Sequence, residues 1–321
     1  MKYTYSVVIP HYNSAFLLKR MLRSIPERND IQVIVVDDNS EDADVEVLGN
    51  LIHKNLEVYY LKENLGAGAA RNIGLKYVQG NWVVVVDADD YFETKTFDRF
   101  DEEINDDYDY IMYCISYYNP ETNSIEQAIG NVSNTSNLNY IFNPSLEHFR
   151  FLKLKSTVCY NKLVNLKFLQ KYNIHFEECE VNNDVLYAYM VSLYSNKMKL
   201  LDDALYIKEL VPTSITGRKR SIEREFLFYI QAQKRNGLFE LLNLKKYPFY
   251  RSDILYVVFL LHKRGLFDTI KFFKYRKKHI SVVKEARSYY KHFFEGISLA
   301  NLQGRMSDCV VMRKTMNDYV K

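Results

Sequence analysis

Trp82-Val83-Val84-Val85-Val86-Asp87-Ala88-Asp89-Asp90 is the stretch on which the fold turns. Five large apolar residues in succession, four of them β-branched, suit a strand buried on both faces. Continuous rather than alternating apolarity belongs to parallel sheets with helices on either side. The strand then runs straight into three carboxylates within four residues. Towards the N-terminus the same grammar recurs. Tyr5-Ser6-Val7-Val8-Ile9-Pro10 reads as a buried strand stopped by Pro10, Ile31 to Val36 as a second ending at Asp37-Asp38, and Leu56 to Leu61 as a third. Between them lie helical spacings: Phe16, Leu17, Met21, Leu22 and Ile25 behind a cap at Asn13 or Ser14, then Val45, Leu48, Leu51 and Ile52 from Asp42, then Ala67 to Val78.

Strand–helix alternation of this kind predicts an α/β fold. Such sheets place ligands at the carboxyl ends of their strands. Those ends carry Pro10-His11-Tyr12, Asp37-Asp38-Asn39-Ser40 and Asp87-Ala88-Asp89-Asp90, three polar clusters on one rim. Some of these residues cap the next helices; as a set they point to a site. Asp87 and Asp89, separated by one small residue, offer oxygen ligands to a hard divalent cation, Mg2+ or Mn2+, that keeps positions open for phosphate. His11 has no second His at ligand spacing and reads as a polar wall residue.

Composition bounds the alternatives. The chain has 321 residues, 47% apolar and 26% charged, with 11 Gly and 6 Pro, which fits globular protein and leaves little room for flexible linkers. The 27 Tyr read mainly as core. Cys114, Cys159, Cys179 and Cys309 stand far apart with no Cys-x-x-Cys pair, against a zinc site or disulfide framework and in keeping with a reducing compartment. Met1 to Pro10 lacks the pattern of a signal peptide, and Ile254 to Leu261 is far shorter than a membrane span, so a cytoplasmic location is expected. The Asn-x-Ser matches at Asn131 and Asn134 carry no meaning in that setting.

Four ordered motifs carry a family resemblance. Ser6-Val7-Val8-Ile9-Pro10-His11-Tyr12-Asn13, Val35-Val36-Asp37-Asp38-Asn39-Ser40, Asn64-Leu65-Gly66-Ala67-Gly68-Ala69-Ala70-Arg71-Asn72-Ile73-Gly74 and Val86-Asp87-Ala88-Asp89-Asp90 make residues 4–92 resemble the nucleotide-binding half of family 2 glycosyltransferases of the GT-A type. The resemblance implies that Tyr12 stacks near the base and Asp38 hydrogen-bonds uracil or its counterpart. It also implies that Asp89 is the principal metal ligand, with Asp87 near ribose and metal. On the residues themselves, Gly66 and Gly68 let backbone approach a ligand, and the following helix offers its N-terminal dipole. Arg71, one turn in, can reach a diphosphate, fix Asp87 or simply pair with a nearby Asp at the surface. Pro10, His11, Tyr12, Asp38, Gly66, Arg71, Asp87, Ala88 and Ser214 are the expected donor-binding set, and Asp89 with Asp87 the expected metal ligands.

Further along, Cys159-Tyr160-Asn161-Lys162-Leu163, Asn173-Ile174-His175-Phe176 and Asn183-Asp184 resemble the family's Trp-Asn-Lys-Leu, Ile-x-Phe and Glu-Asp pattern, with Tyr160 in place of Trp and Asn183 in place of Glu. Asp184 is the candidate general base for an acceptor hydroxyl; the alternative is a cap for a helix from Val185. Pro212-Thr213-Ser214-Ile215-Thr216, followed by Lys219 and Arg220, resembles the segment that folds over the diphosphate.

Charge is unevenly spread. Met1 to Gly217 holds 20 basic and 31 acidic residues, whereas Arg218 to Lys321 holds 23 and 9. The latter region looks helical. Its Phe267, Ile270, Phe272, Phe273 and Tyr275 interleave with Lys271, Lys274, Arg276, Lys277 and Lys278. No nucleic-acid motif accompanies them, so residues 263–291 are read as docking on an anionic membrane surface, here the inner face of the plasma membrane, or as a solvated packing face.

The expected architecture is therefore a GT-A type, Rossmann-like mixed sheet with flanking helices in residues 1–217 (nucleotide-sugar half 1–110, acceptor half 111–217). A basic, mainly helical region, 218–321, follows. The expected activity is inverting transfer of a sugar from a nucleotide-diphosphate donor, a UDP-sugar, to a hydroxyl of a glycan or lipid-linked acceptor in polysaccharide synthesis. A nucleotidyltransferase should carry a Gly-rich basic signature after the first strand, which Pro10-His11-Tyr12-Asn13 lacks. A catalytically silent nucleotide-sugar scaffold would not need Asp87, Asp89 and Asp184 together.

Overall fold

A computed structural model describes residues 2–127, 145–210, 221–244, 253–298, 306 and 309–312. The chain divides into two compact units, one of residues 1–179, 183–212 and 305–321, the other of 180–182 and 213–304.

The first unit is built on a sheet whose strands are β1 (Tyr3–His11), β2 (Ile31–Asp37), β3 (Leu56–Tyr60), β4 (Gly80–Val85), β5 (Tyr91–Phe92), β6 (Tyr110–Asn119), β7 (Ser124–Gln127), β8 (Lys162–Asn165), β9 (Met198–Glu209) and β10 (Cys309–Met312). The order is β10-β9-β6-β8-β4-β1-β2-β3, with β5 on β9 and β7 on β6. β1 is parallel to β2 and β4, β2 to β3, and β9 to both β6 and β10; β8 runs antiparallel to β4 and β6. The sheet is thus mixed, as expected. β1, β2 and β4 are nearly wholly buried, because helices cover both faces and every apolar side chain has somewhere to pack. Parallel pairing brings the ends of β1, β2 and β4 to one rim: His11 pairs with Asp37, and Val85 with Val8.

The flanking helices are α1 (Ala15–Ser24), α2 (Asp42–Gly49), α3 (Ala67–Lys76), α4 (Thr96–Glu103), α5 (Leu146–Lys155), α6 (Leu166–Lys171) and α7 (Asp184–Tyr194). Two expectations need correction. α1 buries Ala15, Leu18, Met21 and Leu22, leaving Phe16 84% exposed, so its inner face is rotated from the one anticipated. Neither Asn13 nor Ser14 caps it with a side chain; Asp44 on α2 accepts the Ala15 N–H instead, at 3.0 and 3.3 Å. A charged acceptor from a neighbouring helix satisfies the same orphan donor.

The second unit contains α8 (Ile222–Leu241), α9 (Asp253–Lys278, broken at Gly265 with φ 79°) and α10 (Ile280–Phe294). Phe226, Tyr229, Ile230, Tyr256, Leu260, Phe272, Val283 and Ala286 form its core. Among the described residues, no helix is long and apolar enough to cross a membrane.

Candidate active site

At the β1 and β2 ends, two loops share one hydrogen-bond lattice. His11 is buried, with Nδ1 2.8 Å from Asp37 Oδ1 and Nε2 3.1 Å from Asp44 Oδ2. Asn13, in the left-handed region at φ 46°, has its N–H on Ser40 Oγ, while its Oδ1 accepts from Glu41 N, both at 2.8 Å. Ser40 in turn donates through its N–H and Oγ to Asp37. Both ring nitrogens of His11 are therefore held by carboxylates. Tyr12, beside it, is half exposed on the rim.

Asp38 is buried, and its two oxygens accept the backbone N–H groups of Leu65 (2.7 Å) and Gly66 (2.8 Å). Burial raises its carboxyl above the usual range, and those two donors oppose the shift. Gly66 precedes α3 with φ 86°, a conformation that favours glycine. Asp38 thus braces the turn that starts α3. Gly68 plays a different part from the one expected. A Cβ there would stand 2.2 Å from Glu177 O and 3.1 Å from Asn183 Cβ, so its missing side chain admits protein, not ligand.

Arg71, buried on α3, joins the two halves of the site. Its guanidinium donates to Asp87 Oδ1 and to Asn183 Oδ1, each at 2.5 Å, and lies 5.3 Å from the Phe176 ring centre. Of its three anticipated roles, the geometry contains the fixing of Asp87. Asn183, at the position where Glu is usual, therefore offers Arg71 a neutral acceptor. The next residue, Asn72, clamps Phe176 by accepting from its N–H (2.7 Å) and donating to its carbonyl (3.0 Å).

Asp87, Asp89 and Asp90 bring carboxylate oxygens within 4.8 Å of one another. They are unequal. Asp90 is fully buried; its oxygens accept from Glu209 N (3.0 Å), Tyr206 OH (2.9 Å) and Lys208 Nζ (3.2 Å), and burial pushes its carboxyl up to about 7 against the pull of Lys208. Burial works to raise Asp87 as well, but Arg71 and then Lys208 outweigh it and hold that carboxyl below the usual range. Asp89 is pushed up, by burial first and the Asp87 charge next. Asp87 Oδ2 and Asp89 suit a hard cation, whereas Asp90 is occupied as a structural acceptor. Ala88, between Asp87 and Asp89 in the sequence, is buried.

Asp184 begins α7 behind Asn183 and is not its cap. Burial raises its carboxyl, Arg71 opposes the shift, and Asp87 adds to it, so Asp184 lies in the same electrostatic neighbourhood as the Asp-Ala-Asp turn. Tyr160, at the position of the usual Trp, stacks on Tyr206 with ring centres 5.1 Å apart. Lys162 turns away, donating to Ser156, Val158 and Asn161, and so anchors its own loop. Ser214, Lys219 and Arg220 lie outside the described residues, as do Asn131 and Asn134.

Three contributors escape the motif reading. Lys208 and Tyr206 come from β9, and Arg20 on α1 donates to the Asp89 carbonyl (2.5 Å) while pairing with Glu209. For Lys208 the available signal is the pair Lys208-Glu209 that ends the apolar run 204–207.

Comparisons with known proteins identify the family and the fold. Poly(ribitol-phosphate) beta-N-acetylglucosaminyltransferase TarS of Staphylococcus aureus is 27% identical over 214 residues, covering 63% of this chain and 35% of that protein. Cholesterol galactosyltransferase of Borreliella burgdorferi is 24% identical over 312 residues, 89% of this chain and 84% of its own length. The structure of S. aureus TarS 1–349 in complex with UDP-GlcNAc superposes with a TM-score of 0.63 at 20% identity, covering 95% of this chain and 88% of that one; the shared fold is GT-A type. The matched stretches span 40%, 23% and 35% of the first curated relatives' own length. The family model described as glycosyl transferase family 2 matches residues 6–172, more than half of the sequence, and the chain belongs to that family.

Proposed function

We propose that the chain transfers a sugar, with inversion, from a UDP-sugar to a hydroxyl of a glycan or lipid-linked acceptor during assembly of a bacterial envelope polymer. The observation that carries this reading is the double hydrogen bond of Arg71, which ties Asp87 of the Asp-Ala-Asp turn to Asn183, next to Asp184. The donor end and the candidate base are thereby held in one constellation. Teichoic acid and poly(ribitol-phosphate) enzymes among the relatives support an envelope polymer, and a cholesterol galactosyltransferase over nearly the whole length supports a lipid-linked acceptor. The UDP-GlcNAc complex of TarS makes UDP-GlcNAc the first donor to test.

In this mechanism Tyr12 flanks the base, while the remaining lone pairs of Asp38 receive its polar edge. Pro10, His11 and Gly66 shape the wall, and Ala88 leaves room beside the ribose. Asp184 accepts the acceptor's hydroxyl proton as that oxygen bonds to the anomeric carbon and the bond to the diphosphate breaks; its raised affinity for a proton suits a base. Asp89, with Asp87 Oδ2, would hold Mn2+ or Mg2+, whose chemistry when bound is neutralisation of charge on the leaving diphosphate. Arg71 keeps Asp87 ionised and oriented for that task. Ser214 is assigned to the diphosphate by its motif.

The test is UDP release from UDP-sugars by the full chain with Mn2+, in wild type, Asp184→Asn and Asp89→Ala. Asp184→Asn is expected to lower transfer by about 10²–10⁴-fold while UDP still binds. Equal transfer rates for wild type and Asp184→Asn would remove the base role; a wild-type rate indifferent to Mn2+, or an Asp89→Ala rate equal to that of wild type with Mn2+, would remove the metal role.

A second reading concerns residues 263–291. Leu266, Phe267 and Ile270 are exposed on α9 beside the exposed Lys263, Lys271, Lys274, Lys277 and Lys278. The sole acid between residues 254 and 284, Asp268, lies 3.7 Å from Arg264. Phe272, by contrast, belongs to the core. A basic face with a few apolar side chains supports docking on anionic headgroups. Flotation with phosphatidylglycerol vesicles at low and high salt tests it; no flotation at low salt refutes it.

A further inference from the structure

Lys208 sits at the end of β9, with Nζ 3.2 Å from Asp90 Oδ2 and 3.8 Å from Asp87 Oδ2. Its ammonium lies over the Tyr160 ring at 5.0 Å, and Tyr160 is itself stacked on Tyr206, so the cation has a rigid floor. The side chain is 30% exposed and therefore open to a ligand. Asp87 Oδ1 is already taken by Arg71, so Oδ2 is the oxygen that both Lys208 and a divalent cation can use. Arg20 adds a further positive group at the Asp89 carbonyl, although Glu209 offsets it.

We propose that Lys208 is a positioning residue that makes cation binding depend on the donor's diphosphate. Before loading, its ammonium supplies the positive charge the acidic cluster needs, and it repels a divalent cation at the neighbouring oxygen. A diphosphate arriving with the cation offers oxygens to both, turning repulsion between two cations into attraction of each for a shared anion. Cation and nucleotide then bind as a coupled pair, and the coupling is reciprocal. Asp90 and Tyr160 hold Lys208 in place whichever state is occupied. The proposal rests on the nucleotide-diphosphate reading for its second half only, because repulsion of the bare cation needs no nucleotide.

The test is titration of the full chain with Mn2+, following free Mn2+ by electron paramagnetic resonance, without and with saturating UDP. Wild type, Lys208→Met, Lys208→Gln and Lys208→Arg are compared. In wild type, UDP is expected to tighten Mn2+ binding by at least about tenfold, a coupling of about 1.4 kcal/mol. Either neutral variant should bind Mn2+ alone about tenfold more tightly and lose most of the UDP effect, while Lys208→Arg keeps both wild-type values. Unchanged Mn2+ affinity in both neutral variants would overturn the proposal. So would weaker binding in both states, because it would mark Lys208 as scaffold alone. If UDP fails to bind wild type under any condition, the nucleotide reading falls. A tenfold tightening of Mn2+ alone in the neutral variants would still stand as evidence for the repulsive half.

Discussion

Replacing Arg71 by Met should reveal how much of the first unit's stability runs through one ion pair. The substitution keeps an apolar stem near Phe176 and deletes the guanidinium that holds Asp87 and Asn183. Asp87 would be left with Lys208 at 3.8 Å as its remaining cation. Removing one partner of a buried pair costs about 3–5 kcal/mol. The Asp87 side chain is 24% exposed, which places the loss near the lower end, about 3 kcal/mol. For a cooperative unit of this size that corresponds to a fall in Tm of about 6–12 °C. Trp82, the only tryptophan, is 2% exposed in β4, so its fluorescence reads the unfolding of this unit and no other. The loss should also depend on pH. With Arg71 present, Asp87 has a lowered folded pKa; its stabilisation is complete above its unfolded pKa and is lost as pH falls through the folded value. Without Arg71, burial raises the folded pKa, so the penalty is complete near pH 7 and eases as pH falls. The gap between wild type and variant should therefore narrow from pH 7 towards pH 4. A gap as wide at pH 4 as at pH 7 would refute the electrostatic account and leave packing as the cause.

Gly68→Ala should lower stability by about 1–3 kcal/mol, because the new methyl meets a backbone carbonyl that cannot swing aside; it should also lower transfer activity by displacing Asn183, measured by Trp82 unfolding and UDP release. Asn72→Ala leaves the Phe176 N–H and carbonyl without their side-chain partner and should cost about 1–3 kcal/mol in the same denaturation assay. In the second unit, Gly237→Ala would set a Cβ 1.8 Å from Arg287 O, so α8 and α10 must separate; loss of helical circular dichroism at a lower temperature, with the Trp82 transition retained, is the expected signature.

The rim was legible because it is local. Val83 to Val86 followed by Asp87, or Val33 to Val36 followed by Asp37 and Asp38, states both burial and the point where burial ends. Partners across the sheet were not legible. Tyr206 and Lys208 lie well over a hundred residues from Asp87 and reach it through the pairing of β9 with β6 and β5, which no local periodicity encodes. The same limit explains α1: a surface-like Asp44, two elements further on, supplies the cap that Asn13 and Ser14 do not. Roles written in glycine were ambiguous for a related reason. Gly66 serves a backbone angle and Gly68 serves a neighbour's carbonyl, and the sequence Gly-Ala-Gly reads alike for both.

The lattice joining His11, Asn13, Ser40 and Asp44 bears on attempts to change donor preference by exchanging segments between relatives. Each of the first two loops finishes the other: Glu41 N rests on Asn13, Asn13 N on Ser40, and the start of α1 on Asp44. A graft of residues 10–15 alone would import side chains cut for a different counterpart and leave Glu41 N without the Asn13 Oδ1 acceptor. A graft of 37–44 alone would take the side-chain acceptors from Asn13 N and Ala15 N. Residues 10–15 and 37–44 therefore form the smallest transplantable cassette, two pieces separate in the gene and single in the protein. Point changes at Tyr12, which lies outside that lattice, are where retuning can begin without rebuilding it.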